Sequence, residues 1–114
     1  MSWYWRDGTL AYTFREPGWE EKARLVEERL RDISYKRVAF DVLADGKVVS
    51  TVWIGLELEP RRKGEAPLIF ETMVFPSESN FRDLDCERYA TEEQAKAGHE
   101  EMVERWRDKL VVVK

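Results

Sequence analysis

Between Tyr35 and Phe75 the chain reads YKRVAFDVLADGKVVSTVWIGLELE, then a polar loop, then PLIFETMVF. Val38, Phe40 and Val42 alternate with Arg37, Ala39 and Asp41, and Val48, Val52, Ile54, Leu56 and Leu58 alternate with Thr51, Trp53, Gly55 and Glu57. A period of two is the period of extended backbone, whose successive side chains point to opposite faces. Three antiparallel strands are therefore expected at the centre of the fold, and the rest of the chain has to cover them.

The turn at Ala44-Asp45-Gly46 decides which residues share a face, because a slip of one residue moves a whole strand's side chains to the other side. A two-residue loop would place Val38, Phe40 and Val42 with Thr51 and Trp53 and mix Asp41 with Val52. A three-residue loop, with Gly46 in the left-handed position of a bulge, joins them to Val48, Val52 and Ile54 instead. The pattern favours three residues and leaves Arg37, Ala39, Asp41, Val49, Thr51, Trp53 and Glu57 on the opposite face. In the third strand Leu68, Phe70 and Val74 are expected in the core, with Ile69, Glu71, Met73 and Phe75 outside.

Flanking segments supply a hairpin and two helices. Asp7-Gly8 lies between aromatic-rich runs, a strong hairpin signal since Gly accepts positive φ. Trp19, Ala23, Val26, Leu30 and Ile33 form a helical stripe after Pro17-Gly18, with Glu20–Arg24 and Glu27–Arg31 as i,i+4 pairs on the solvent side. Thr91 with Gln94 three residues on forms a capping box before a second stripe of Ala95, His99, Met102, Trp106 and Leu110. Helices are expected from about Gly18 to Asp32 and from about Glu92 to Lys109, with Leu30 and Trp106 in the core. SESNFRDLDCER reads as a polar loop, and the closing VVVK as a frayed turn or short edge strand. The expected class is α+β: three central antiparallel strands plus the N-terminal hairpin, with two helices packed on one face of the sheet.

A chain of 114 residues fits one domain. Its net charge of −4 argues against a surface built to neutralise phosphates, so nucleic acid is disfavoured as a partner. The order helix, three strands, helix matches double-stranded-RNA-binding domains, but their second helix opens with lysines and here it opens Thr91-Glu92-Glu93. The triplet Arg61, Arg62, Lys63 reads as a solvated turn. No apolar run approaches the ~20 residues of a membrane span. MSWYWRDG lacks a secretory-signal pattern and Cys86 is the only cysteine, so a reducing, cytoplasmic setting is expected. Many ion-pairing residues with one Asn and one Gln resemble the balance of thermophile proteins.

Sites for chemistry are sparse. His99 is the only histidine and lies on an apolar stripe, which reads as a satisfied core residue before a general base. Gly98 beside it points to close packing. Asp85 and Glu87 flank Cys86 and should raise its thiol pKa. Asp83, Asp85 and Glu87 alternate as in some Ca²⁺ loops, without the glycine and distal glutamate such a loop needs. No phosphate loop, nucleophile elbow or metal motif is present, so neither a catalytic set, a cofactor nor a metal is expected.

YWRDG, the helix start at Trp19, YKRVA, VSTVWIGLE, PLIFETMVF and ERYATEEQAKAGHEEMV together resemble a widespread group of small proteins encoded in tailed-phage and prophage genomes. The resemblance covers Tyr4 to Val103 and departs between Glu57 and Glu65. It implies an intracellular, viral setting and no mechanism. The expected function is that of a non-enzymatic phage accessory protein binding a host or phage protein, or a second copy of itself. Its candidate surface is Trp53, Met73, Arg37, Ile69 and Phe75, since aromatic residues, Met and Arg are enriched at interfaces. The N-terminal hairpin, through Trp3, Trp5, Tyr12 and Phe14, is the alternative cover for that face or an extension of the sheet edge. A small enzyme or ligand-binding domain using Glu71 and His99 is the main rival, and a virion or assembly component the third.

Overall fold

A computed structural model of the chain describes residues 1–57 and 64–107. The basic triplet 61–63, Leu110 and VVVK lie outside the described residues. In chain order the elements are β1 (Ser2–Tyr4), β2 (Leu10–Thr13), α1 (Trp19–Arg31), α2 (Ile33–Lys36), β3 (Arg37–Val42), β4 (Val48–Trp53), β5 (Phe70–Phe75), β6 (Asp85–Tyr89) and α3 (Glu92–Arg107). The fold is α+β. The sheet is antiparallel in the order β3-β4-β5-β6, so it has four strands rather than three. The added strand, β6, falls in the stretch expected to be a polar loop. Charged residues are characteristic of edge strands, where they discourage pairing with a further chain.

Both tight turns use the same device. In Trp5-Arg6-Asp7-Gly8-Thr9 the Trp5 amide donates to the Thr9 carbonyl and Gly8 N–H to the Trp5 carbonyl, while Asp7 Oδ1 accepts from the Thr9 amide. Leu43-Ala44-Asp45-Gly46-Lys47 repeats each of these bonds. The glycines sit at φ 90° and 93°, the left-handed position that closes a three-residue loop. This loop pairs Val42 with Val48, Asp41 with Val49 and Ala39 with Thr51, the face grouping expected from the pattern except at the start of β3. There a bulge turns Arg37 to the Phe40 face opposite Val52 and packs Val38 in the cluster around Trp53, the reverse of the expected placement of these two residues.

The side that is covered is the reverse of the one expected. Val49, Thr51 and Trp53 are fully buried, whereas Phe40 and Val42 are 38% and 49% exposed. The β4–β5 register pairs Val49 with Val74, Thr51 with Thr72 and Trp53 with Phe70. Phe70 and Val74 are core as expected, but their neighbours across β4 are Trp53 and Val49 rather than Val48 and Val52. Periodicity groups residues by face without saying which face a helix takes, and the long connection between β4 and β5 does not fix register as a tight turn does.

α3 lies across all four strands on the covered face. Thr91 Oγ1 accepts from the Gln94 amide, and the Gln94 side chain reaches back to the Ala90 amide, one residue earlier than a capping box predicts. Ala95, Gly98, His99, Met102 and Val103 are buried, and Trp106 is half-buried with its indole N–H on Asp85. α1 packs chiefly on β2 and α2 rather than beside α3 on the sheet, correcting the expectation of two helices on one face. Val26 is buried, Leu30 is half-buried, and Ile33 is 53% exposed because the helix breaks at Asp32 before it. Glu27 pairs with Arg31 at 2.7 Å, while Arg24 meets Glu21 rather than Glu20.

The hairpin β1–β2 forms its own two-stranded sheet instead of extending the four-stranded one, and through Trp3, Tyr4, Trp5 and Tyr12 it covers part of the Trp53 face, the role expected of it as the alternative to a partner. It packs at the Trp53 end, where Tyr4 N–H donates to the Gly55 carbonyl and Trp53 Nε1–H to the Tyr4 carbonyl. Arg6 ties it to α3 through Glu92 at 2.5 Å and to the Tyr35 carbonyl. The Arg6 hydrogen bond holds the Glu92 carboxyl below the usual glutamate range. Because the folded pKa lies below the unfolded one, this stabilisation is complete above about pH 4.3 and is lost as pH falls through the lower folded value. Arg6→Leu is therefore expected to reduce the loss of melting temperature between pH 5 and 3; an unchanged acid slope would remove Glu92 from the clamp.

Candidate functional site

The face of the sheet away from α3 is open. Across it run two rows set by strand pairing: Phe40, Ser50, Met73 and Cys86, and then Val42, Val48 and Phe75. The loop after β5 returns over one end and stands Phe81, 78% exposed, edge-on against Phe75 with ring centroids 5.9 Å apart. Between these residues lies a groove of about 290 Å³ lined by Arg37, Phe40, Val48, Ser50, Phe75, Ser77, Glu78 and Phe81. The Arg37 guanidinium lies 4.2 Å from the centre of the Phe40 ring.

Of the five candidate residues, this face unites Arg37, Met73 and Phe75. Trp53 and Ile69 are fully buried and offer nothing to a partner in this fold. Trp53 sits under the hairpin against Tyr35. Ile69, just before β5, donates its N–H to the Tyr89 carbonyl and accepts from Ile54 and Gly55. Phe40, Val42 and Phe81 were missed as surface residues. The first two carry the same alternation as a core strand, while Phe81, an aromatic inside a polar loop, was a legible signal.

Further along the open face Glu71 accepts from Arg88 Nε at 2.9 Å and from Cys86 Sγ at 3.6 Å. Cys86 is pushed up to about 11, first by burial and then by the Glu71 carboxylate. The raised thiol was expected, but its causes are burial and then the cross-strand Glu71 rather than the flanking Asp85 and Glu87. At pH 8 alkylation of Cys86 by iodoacetamide should run on the order of 100-fold slower than that of free cysteine, whose pKa is ~8.5. Glu71→Gln should speed it; a native rate matching free cysteine would contradict the site.

Beneath the other face, His99 forms a polar relay. Its Nε2 lies 2.7 Å from Asp41 Oδ2 and its Nδ1 2.7 Å from Thr51 Oγ1, which is 2.5 Å from Thr72 Oγ1. With His99 Nε2–H donating to Asp41, the hydroxyls of Thr72 and Thr51 can each donate to the next member, ending at Nδ1. Thr, His and Asp in series resemble the order of a nucleophilic triad, but both threonines are fully buried, so no substrate reaches a hydroxyl. The relay ties α3 to one residue from each of β3, β4 and β5, and no buried side-chain polar atom among the described residues lacks a partner. Glu71 and His99 lie on opposite faces, since Glu71 alternates with Phe70 and Thr72; the structure does not bring this expected pair together.

Asp85 accepts from Trp106, Arg105 and the Cys86 amide, so it belongs to the helix–strand contact. Among the described residues no cluster of three potential ligands could hold a metal ion, and no helix is long and apolar enough to cross a membrane. A second groove, of about 560 Å³, opens between the first turn, α1 and the start of α3. Its Arg6 is held by Glu92 and the Tyr35 carbonyl, and its Arg29 lies over the Tyr35 ring. No protein family, curated protein or solved structure matches the chain.

Proposed function

We propose that this chain is a non-enzymatic accessory protein that acts by binding another protein through the open face of its sheet. The observation that carries the reading is that face's composition: Phe40, Val42, Met73, Phe75 and Phe81 stand on a surface that water alone should keep mostly polar. Aromatic residues, Met and Arg are the types enriched in interfaces, and Arg37 stacked on Phe40 is preorganised for one. The sequence resemblance to tailed-phage proteins makes an infected cell the setting for this reading. An enzymatic role for Glu71 and His99 draws no support from their placement on opposite faces.

The test is Phe40→Glu, at a position exposed enough to accept a charge. The variant should keep its circular dichroism spectrum and melting temperature within a few degrees while losing at least about 2 kcal/mol of binding to whatever the wild type captures, as a central aromatic contact would. Undiminished capture by the folded variant would remove this face from the function.

A further inference from the structure

We infer that the occupant of the open face is a second copy of this chain, joined by a two-fold contact. The inference rests on the binding role proposed for that face and names its partner. A two-fold interface requires the same patch to supply both halves of each interaction, so that residue i meets j and j meets i. The open face holds such a set. Phe81 is 78% exposed and forms one wall of the groove through its edge-on contact with Phe75, while Phe40 and Phe75, over the buried Val48, leave room there for a second ring.

Charge gives the second argument. Arg37 and Glu78 both line this groove, and neither forms an ion pair within the chain among the described residues. Seating Phe81 of each copy in the other's groove sets Arg37 of one copy against Glu78 of its mate, twice over. Two opposite charges and a ring-and-groove pair on one patch are what self-recognition needs; a partner with a different surface would need only one of each.

Size sets the strength. Strands spaced ~4.8 Å apart with a rise of ~3.3 Å per residue give this face a footprint on the order of 400 Å². That is below the ~800 Å² per partner of standard stable complexes, so a weak dimer in the micromolar range is expected.

Sedimentation velocity between about 1 and 500 µM, a span that brackets weak association, should show the wild type moving from the 13.5 kDa monomer towards twice that mass. Phe81→Glu, on a side chain 78% exposed, should remain monomeric throughout. Arg37→Glu and Glu78→Arg should each weaken association by at least about tenfold through like-charge contacts. An equimolar mixture of these two single variants should restore it, because each copy then supplies the charge the other lacks at both contacts. A misfolded variant could not be rescued this way. A wild type monomeric at every concentration, a dimer indifferent to Phe81→Glu, or a mixture that stays monomeric would each overturn the inference. If the wild type stays monomeric while Phe40→Glu still abolishes capture of a different protein, the dimer fails and the binding role of the face stands. Loss of neither would remove both.

Discussion

Trp53→Ala is expected to cost about 3–5 kcal/mol, the range for emptying the space of a large aromatic side chain in a packed core. Trp53 is fully buried at the meeting point of three parts of the fold. Its ring packs edge-on against Tyr35, its Nε1–H donates to the Tyr4 carbonyl, and its neighbours in the cluster include Val26 of α1 and Ala95 of α3. Truncation therefore leaves a cavity and also strips the Tyr4 carbonyl of its indole donor. A domain of this size has a total stability of only about 5–15 kcal/mol, so much of the reserve is lost. Urea unfolding followed by circular dichroism would measure it, and a loss below about 1 kcal/mol would mean that Trp53 is not the keystone between hairpin and sheet. Trp53→Glu, which buries an unpaired charge at the same place, should abolish the fold altogether.

Gly98→Ala is the second large effect, and its sign is opposite to what a helix scale gives. Inside an exposed helix the change would stabilise by about 1 kcal/mol. Here an added Cβ would lie 2.2 Å from two carbons of the Tyr89 ring and 2.3 Å from its hydroxyl oxygen. Carbon atoms do not approach so closely, so either α3 lifts from the sheet or Tyr89 swings out and gives up its packing against the core. Lifting α3 stretches the His99–Thr51 contact in the next position along the helix. Overpacking of this kind costs about 1–3 kcal/mol, enough to outweigh the propensity gain. A double-mutant cycle with Tyr89→Ala tests the cause. Removing the ring should make Gly98→Ala neutral or stabilising, whereas destabilisation of equal size in both backgrounds would assign the effect to something other than the ring.

Local chemistry accounts for the features legible in the amino-acid sequence. The two Asp-Gly turns, the capping threonine of α3, the helical stripe through Val26 and the pairing of β3 with β4 all depend on residues within a few positions of each other, where spacing and backbone preference act directly. His99 was legible as a satisfied core residue for a similar reason: a lone histidine on an apolar stripe must find partners when buried. Its partners were not legible, since Asp41, Thr51 and, behind it, Thr72 come from three different strands. Gly98 announced a close approach without revealing that a tyrosine ring makes it.

Tertiary structure alone decided which face of the sheet α3 covers, and with it the candidate site. Apolar residues line both faces of β3 and β4, so alternation reads equally well either way up. The covered face carries Val49, Trp53, Phe70 and Val74 in full burial, and there Thr51 and Asp41 also meet the two ring nitrogens of His99. That choice took Trp53 and Ile69 out of the proposed surface and put Phe40 and Val42 into it. Register between β4 and β5 was settled in the same way, by side chains packing across a long connection whose closure constrains neither strand. Sequence periodicity thus defined the surfaces, and the burial of Trp53, Phe70, Val49 and Val74 beneath α3, with His99 bonded to Thr51 and Asp41, is the physical reason that one of them became the core and the other was left open.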